Sequence, residues 1–300
     1  MNRLLPTLIS LCAFAFVAPG MALANETDPE PEQAALSRPT DELHGPDLKS
    51  SAALVIEQGG GPVLYAKNVD AVVPIASITK LMTAMVVLDA QLALNERVTI
   101  AAADLDDIKG TRSRLKVGTA LVRGELLRLA LMSSENRAAA ALGRTYPGGT
   151  RAFVAAMNQK AMELGMWRSR FVDGTGLSSE NVSTAQDLVK LAEAAYQYAA
   201  IRQYTTDSDH KIRLANGKTV TYRNSNGLVR NPEWRIGLSK TGYISEAGRC
   251  LVIQARIAAK PVIIVLLDSW GRLTRIGDAN RIKRWMETLN FERAASRPGG

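Results

Sequence analysis

Strand-like text stands at both ends of this 300-residue chain and helical text fills its middle, an order that leaves few folds open. Ala52 to Glu57 and Val63 to Ala66 are short apolar runs split by Gly59-Gly60-Gly61-Pro62, the pattern of a hairpin. Strand character returns over Trp234 to Gly242, Arg249 to Ala258 and Pro261 to Leu267, and a closing helix is predicted over Asp278 to Leu289. Between these blocks, Ile78 to Ala90 is apolar nearly all round, as a helix buried in a core would be. Helical text continues over Glu125 to Met132, Asn136 to Thr145, Arg151 to Leu164 and Thr184 to Tyr198. Ser183 and Gln186 read as a capping box opening the last of these. Asn216-Gly217 signals a type I′ hairpin. The expected fold is α/β in the α+β sense: an antiparallel sheet built from both ends, flanked by helices, with an all-helical lobe at about residues 85–200 inserted in it.

The ends point to export. Arg3, the apolar run Leu8 to Val17 and Ala22-Leu23-Ala24 have the layout of a signal peptide over residues 1–24. Residues 25–50 carry seven acidic and two basic side chains with little apolar content, which predicts a disordered leader. The folded domain is expected over residues 51–292, with a flexible tail at 293–300. Because the leader is acidic, the domain is more basic than the formal charge of +8 for the whole chain. That suits an anionic polymer; nucleic acid is a poor candidate for an exported chain. Past the signal only Cys250 remains, so no disulfide is possible within the chain, and its apolar neighbours predict a buried core thiol.

Three short motifs carry the chemistry: Ser77-Ile78-Thr79-Lys80, Ser134-Glu135-Asn136 and Lys240-Thr241-Gly242, spaced by 57 and then 106 residues. A serine hydroxyl needs an adjacent base to act as a nucleophile near neutral pH. On one helical face Ser77 and Lys80 would be neighbours, and burial, the helix dipole and a nearby cation such as Lys240 would all favour the neutral amine. Ser134 is placed to relay a proton, and Asn136 to bond a substrate amide. Lys240 and Thr241 would hold a carboxylate or carbonyl. Gly242 would let the strand approach the substrate, and the main-chain amides of Ser77 and Tyr243 would bind an oxyanion. Ser113-Lys116, Ser208-Lys211 and Ser179-Glu180-Asn181 repeat parts of these motifs. None of them opens an apolar helix or lies between two.

Other chemistries find little support. The chain has only His44 and His210, which leaves a Ser-His-Asp triad one histidine in a charged loop. No His-Glu-x-x-His or cysteine cluster offers a metal site, and Asp173-Gly174-Thr175-Gly176 reads as a turn beside the cleft rather than a nucleotide loop. No Glu-x-x-Leu-Asn of the kind that serves deacylation in class A β-lactamases lies between Asn136 and Lys240.

Pro74 to Ala84, Leu131 to Ala139, Lys240 to Tyr243 and the run Thr175-Gly176-Leu177 through Asn181 to Leu188 resemble the low-molecular-weight penicillin-binding proteins, the D-Ala-D-Ala carboxypeptidase/endopeptidase family. The likeness runs from about Ala52 to Leu289 and is greatest to the D-alanyl-D-alanine endopeptidase branch. It implies the β-lactamase/transpeptidase-like fold and no cofactor or metal. It also implies hydrolysis of D-alanyl-diaminopimelate crosslinks between peptidoglycan stem peptides through an acyl-enzyme on Ser77, with β-lactams as inhibitors. In those roles Lys80 is the proton acceptor, Ser134 the relay and Lys240 the substrate anchor. A carboxypeptidase that removes a terminal D-Ala, or a non-catalytic penicillin-binding sensor, would carry the same motifs. The text after Leu289 offers no further β-domain or amphipathic anchor, so a soluble periplasmic enzyme is expected. At most it would contact a membrane weakly, through Arg281, Lys283 and Arg284.

Overall fold

The computed structural model describes residues 45–214 and 217–295, without side chains for 291–295. The predicted signal peptide, most of the leader and the last residues of the tail lie outside the described residues. The elements, in chain order, begin with β1 (Ser50–Glu57), β2 (Val63–Lys67), β3 (Val73–Pro74) and α1 (Thr79–Asp89). The middle holds β4 (Arg97–Thr99), β5 (Ala120–Val122), α2 (Arg123–Met132), α3 (Asn136–Arg144), α4 (Gly149–Glu163), β6 (Val182–Ser183), α5 (Ala185–Tyr196) and α6 (Ala199–Thr206). The chain then forms β7 (Asp209–Arg213), β8 (Thr219–Arg223), β9 (Arg235–Ile244), β10 (Gly248–Ile257), β11 (Lys260–Ser269) and α7 (Thr274–Ala295).

The central sheet runs β2-β1-β11-β10-β9, so strands from both ends of the chain meet where β1 pairs with β11. All its ladders are antiparallel, with Ala52 opposite Leu267 and Leu54 opposite Val265. Side chains alternate between faces along a strand, and here both faces are covered. Leu54, Val252, Ile263 and Val265 pack toward the helical lobe. Val55, Leu251, Ile253, Ile264 and Leu266 pack on the other side with Ala279, Ile282 and Met286 of α7. Burial on both faces explains why these strands read as unbroken apolar runs. Buried Cys250 lies on the lobe side, where burial pushes its thiol up to about 11.

Some boundaries differ from expectation. The folded part begins before Ser51: Leu48 is buried in the α7-side core, and the Ser50 amide and hydroxyl donate to Asp278 Oδ2 at 2.8 and 2.6 Å. The closing helix starts at Thr274 and reaches Ala295, into the expected tail. Thr184, not Ser183, caps α5, accepting from the Asp187 amide at 3.1 Å. The β7–β8 hairpin forms, with Leu214 N donating to Lys218 O at 2.9 Å; the expected Asn216-Gly217 turn lies in part outside the described residues. Among the described residues no helix is long and apolar enough to cross a membrane.

Candidate active site

Ser77 stands on a single 3-10 turn, Ala76–Ile78, that leads into α1. The turn is entered through a left-handed Ala76 with φ of 48°, a conformation costly for any residue with a β-carbon. It is clamped on both sides. Thr79 Oγ1 donates to Ala76 O at 2.8 Å, and Ile75 N donates to Asn181 O at 3.0 Å. A β-carbon on Gly176 would lie 2.1 Å from Ala76 O, and one on Gly242 would lie 2.8 Å from Ile75 O and 3.2 Å from Ser77 N. The glycine of the Lys-Thr-Gly motif therefore makes room for the main chain behind Ser77, where the sequence had suggested room for substrate.

Lys80 follows three residues later and is completely buried. Its Nζ lies 2.8 Å from Ser77 Oγ, 2.7 Å from Asn136 Oδ1 and 2.5 Å from Thr175 O. The last two atoms can only accept. A neutral amine spends its two N–H bonds on them, which turns its lone pair toward the Ser77 hydroxyl. Burial is the leading cause that lowers Lys80 to about 7, against the opposing pull of Asp173, Glu135 and Asp106. Desolvation is the largest effect on Lys80, and the repulsion between Lys80 and Lys240, which helps to lower Lys240, acts in the same direction.

Asn136 has its orientation fixed. Asp106 Oδ2 takes the Thr111 hydroxyl proton at 2.5 Å, which leaves Thr111 Oγ1 to accept from Asn136 Nδ2 at 2.9 Å. The amide oxygen must then face Lys80. Asn136 Oδ1 thus faces Lys80 while Nδ2 keeps a second N–H beyond the one given to Thr111. The carbonyl of Thr175 is fixed as firmly. Asp173 Oδ1 accepts from the amides of Thr175 and Gly176, each at 2.6 Å, and Asn181 Nδ2 donates to Asp173 O at 3.0 Å.

Ser134 sits in the turn between α2 and α3 with a left-handed φ of 60°. Its Oγ accepts from Lys240 Nζ at 3.0 Å, joining the helical lobe to β9, the strand at the end of the sheet. Lys240 is buried, and burial first, then the charges of Lys80 and Arg275, pushes it well below the usual lysine range. A carboxylate bound there would supply the missing counter-charge. Thr241 Oγ1 donates to Ser225 Oγ at 2.8 Å, and exposed Tyr243 carries the Arg249 guanidinium 4.3 Å above its ring. The candidate residues Ser77, Lys80, Ser134, Asn136, Lys240, Thr241 and Gly242 therefore converge, with Tyr243 next to Gly242 on β9, and Thr111, Asp106, Thr175, Asp173, Asn181, Ser225 and Arg275 join them. The sequence flagged the glycine loop only as a turn, and nothing in the polar loop around Asp106 marked it. Among the partial repeats, Asn181 of the second Ser-Glu-Asn has a structural use, and His210 pairs with Glu125 at 2.6 Å. Among the described residues no cluster could hold a metal ion.

The sequence pattern of peptidase family S11, described as D-alanyl-D-alanine carboxypeptidase, matches residues 39–271. The chain belongs to peptidase family S11. It is 50% identical to a D-alanyl-D-alanine endopeptidase of Pseudomonas aeruginosa, over 81% of this chain and 78% of that one. A D-alanyl-D-alanine endopeptidase of Escherichia coli is 46% identical over 81% and 79% of the two chains. Among solved structures, a Streptomyces DD-transpeptidase superposes with a TM-score of 0.74 at 31% identity, covering 80% of this chain and 98% of its own. The α+β fold with its antiparallel sheet is shared with that protein, and the S11 member is a serine hydrolase.

Proposed function

We propose that this S11 enzyme is a periplasmic DD-endopeptidase that hydrolyses D-alanyl-diaminopimelate crosslinks of peptidoglycan and that β-lactams acylate at Ser77. The observation that carries the reading is Lys80, buried, depressed to about 7, and with both N–H bonds committed to acceptors so that its lone pair meets Ser77. The identity to two curated endopeptidases supports the choice of bond.

In this reading Ser77 Oγ attacks the D-alanyl carbonyl carbon as its proton passes to Lys80. The main-chain N–H groups of Ser77 and Tyr243 stabilise the oxyanion. The tetrahedral intermediate collapses by breaking the C–N bond, and the leaving amine takes the proton from Lys80 through Ser134. Water then attacks the ester, its proton passing to Lys80 and on to Ser77 Oγ as the acyl group leaves. Asn136 keeps Lys80 aimed, while Lys240 and Thr241, with Arg275 behind them, meet substrate oxygens.

Mass spectrometry of crosslinked tetrapeptide dimers and of monomeric pentapeptides, each incubated with the mature protein and with Ser77→Ala, tests this. Conversion of dimers to monomers by the unsubstituted protein alone supports the endopeptidase. Loss of only the terminal D-Ala from pentapeptide makes it a carboxypeptidase. Labelling of Ser77 by penicillin with neither substrate changed makes it a sensor.

A further inference from the structure

A second feature opens directly on the candidate active site. A cavity of about 420 Å³ is walled by Ser134, Asn136, Arg112, Ser113, Arg114 and Tyr222. Ser113 and Arg114 also wall a larger hollow of about 790 Å³ between residues 113–120 and the β7–β8 hairpin, so the two form one groove leading away from Ser134. Its charge is one-sided. Arg112, Arg114 and Lys116 line it, Glu135 is the single acid along the first part, and the lining of the second part contains no carboxylate.

Arg114 is held in place without being neutralised. Its guanidinium stacks 3.8 Å from the Tyr222 ring centroid, and its Nη1 donates to Thr221 O at 2.6 Å. Arg123, Arg128, Arg144, Arg168 and Arg170 each pair with a carboxylate, whereas Arg114 pairs with none among the described residues. A guanidinium fixed on an aromatic face with donors to spare is pre-organised to bind a carboxylate in two-pronged fashion.

We propose that this groove binds the free carboxylates of the stem peptide lying beyond the scissile bond, with Arg114 as the fixed anchor and Lys116 as a second contact. The proposal rests on the endopeptidase reading. A crosslinked dimer extends past the reacting carbonyl as a whole second peptide bearing carboxylates. A terminal D-Ala or a penicillin nucleus carries no such extension, so the groove would favour crosslinks over shorter substrates.

The test is steady-state cleavage of purified crosslinked dimers, with stem carboxylates either free or amidated, by the unsubstituted enzyme, Arg114→Gln and exposed Lys116→Gln. Each rate is compared with Ser77 acylation by benzylpenicillin in the same preparation. Loss of one charge-assisted contact predicts an about tenfold fall in kcat/KM for the free dimer, relative to penicillin acylation, in Arg114→Gln. A smaller fall is expected in Lys116→Gln. Amidated dimers should be cut equally by all three proteins. Equal loss of dimer cleavage and penicillin acylation in Arg114→Gln, with no effect in Lys116→Gln, overturns the proposal in favour of a structural arginine. So does an unsubstituted enzyme that does not distinguish free from amidated dimers. Failure of that enzyme to cut any dimer overturns the endopeptidase reading itself.

Discussion

At the scale of single residues, the site depends on one amine losing its proton and one turn being held in strain. Lys80 at about 7 is the form-determining group. Acylation of Ser77 needs the neutral amine, so its rate should rise with pH through about 7 and level off above it, read from stopped-flow acylation by a chromogenic β-lactam. Lys80→Arg keeps a charge that cannot be removed and should lower acylation by about 10³-fold or more; a milder loss would move the base elsewhere. Gly242→Ala should cut acylation by about 10–100-fold while the protein stays folded, because the added carbon displaces Ser77 N by a few tenths of an ångström. The more crowded Gly176→Ala combines a φ of 77° with a contact of 2.1 Å, and should instead unfold the protein at lower urea. Ser77, Lys80 and Lys240 were legible from sequence because their chemistry is written in residue type and order. The closeness of Gly242 to the backbone before Ser77 was not legible, because a motif does not say which backbone comes near it.

At the scale of elements, the catalytic helix is aimed by loops that no periodicity marks. The loop around Asp106 is polar and irregular, so its bond to Thr111 could not be read from pattern, yet it fixes Asn136 and through it Lys80. Thr111→Val removes the acceptor for Asn136 Nδ2 and frees the amide to turn. The expected result is an about 10–100-fold slower acylation with a pH profile displaced from about 7, and Thr111→Ser should restore both. A thermal unfolding scan separates this from damage to the fold: slowed acylation that tracks a lowered Tm, with the profile in place, would make Thr111 merely structural. Helix α1 was legible because it is buried on all sides, and α5 to within a residue of its cap. Helix α6 was not expected: it is only eight residues long, and its buried positions are Ile201 and Thr205 alone, too few for a readable apolar stripe.

At the scale of the whole molecule, the strand-helix-strand order already implied a sheet closed by both ends, but not what fastens the closure. Asp278 of α7 does so. It is fully buried, accepts from Lys49 N at 3.1 Å, Ser50 N at 2.8 Å and Ser50 Oγ at 2.6 Å, and pairs with Arg281. Ser50 Oγ lies 2.7 Å from Ser269 Oγ, so the start of β1, the end of β11 and α7 meet at one carboxylate. A sequence pattern does not show such a contact, because 228 residues separate Ser50 from Asp278. Asp278→Ala leaves the buried Ser50 amide without an acceptor and the Arg281 charge without a partner. A destabilisation of about 2–4 kcal/mol is expected, measured by urea unfolding. The Lys80–Ser77 pair is built from α1 and the loops around it, elements outside this closure, so acylation per folded molecule should stay within about twofold. A variant as stable as the unsubstituted protein would show that the β1–β11 ladder alone closes the sheet. A variant that stays folded but reacts slowly would show that the closure also sets the geometry of the cleft.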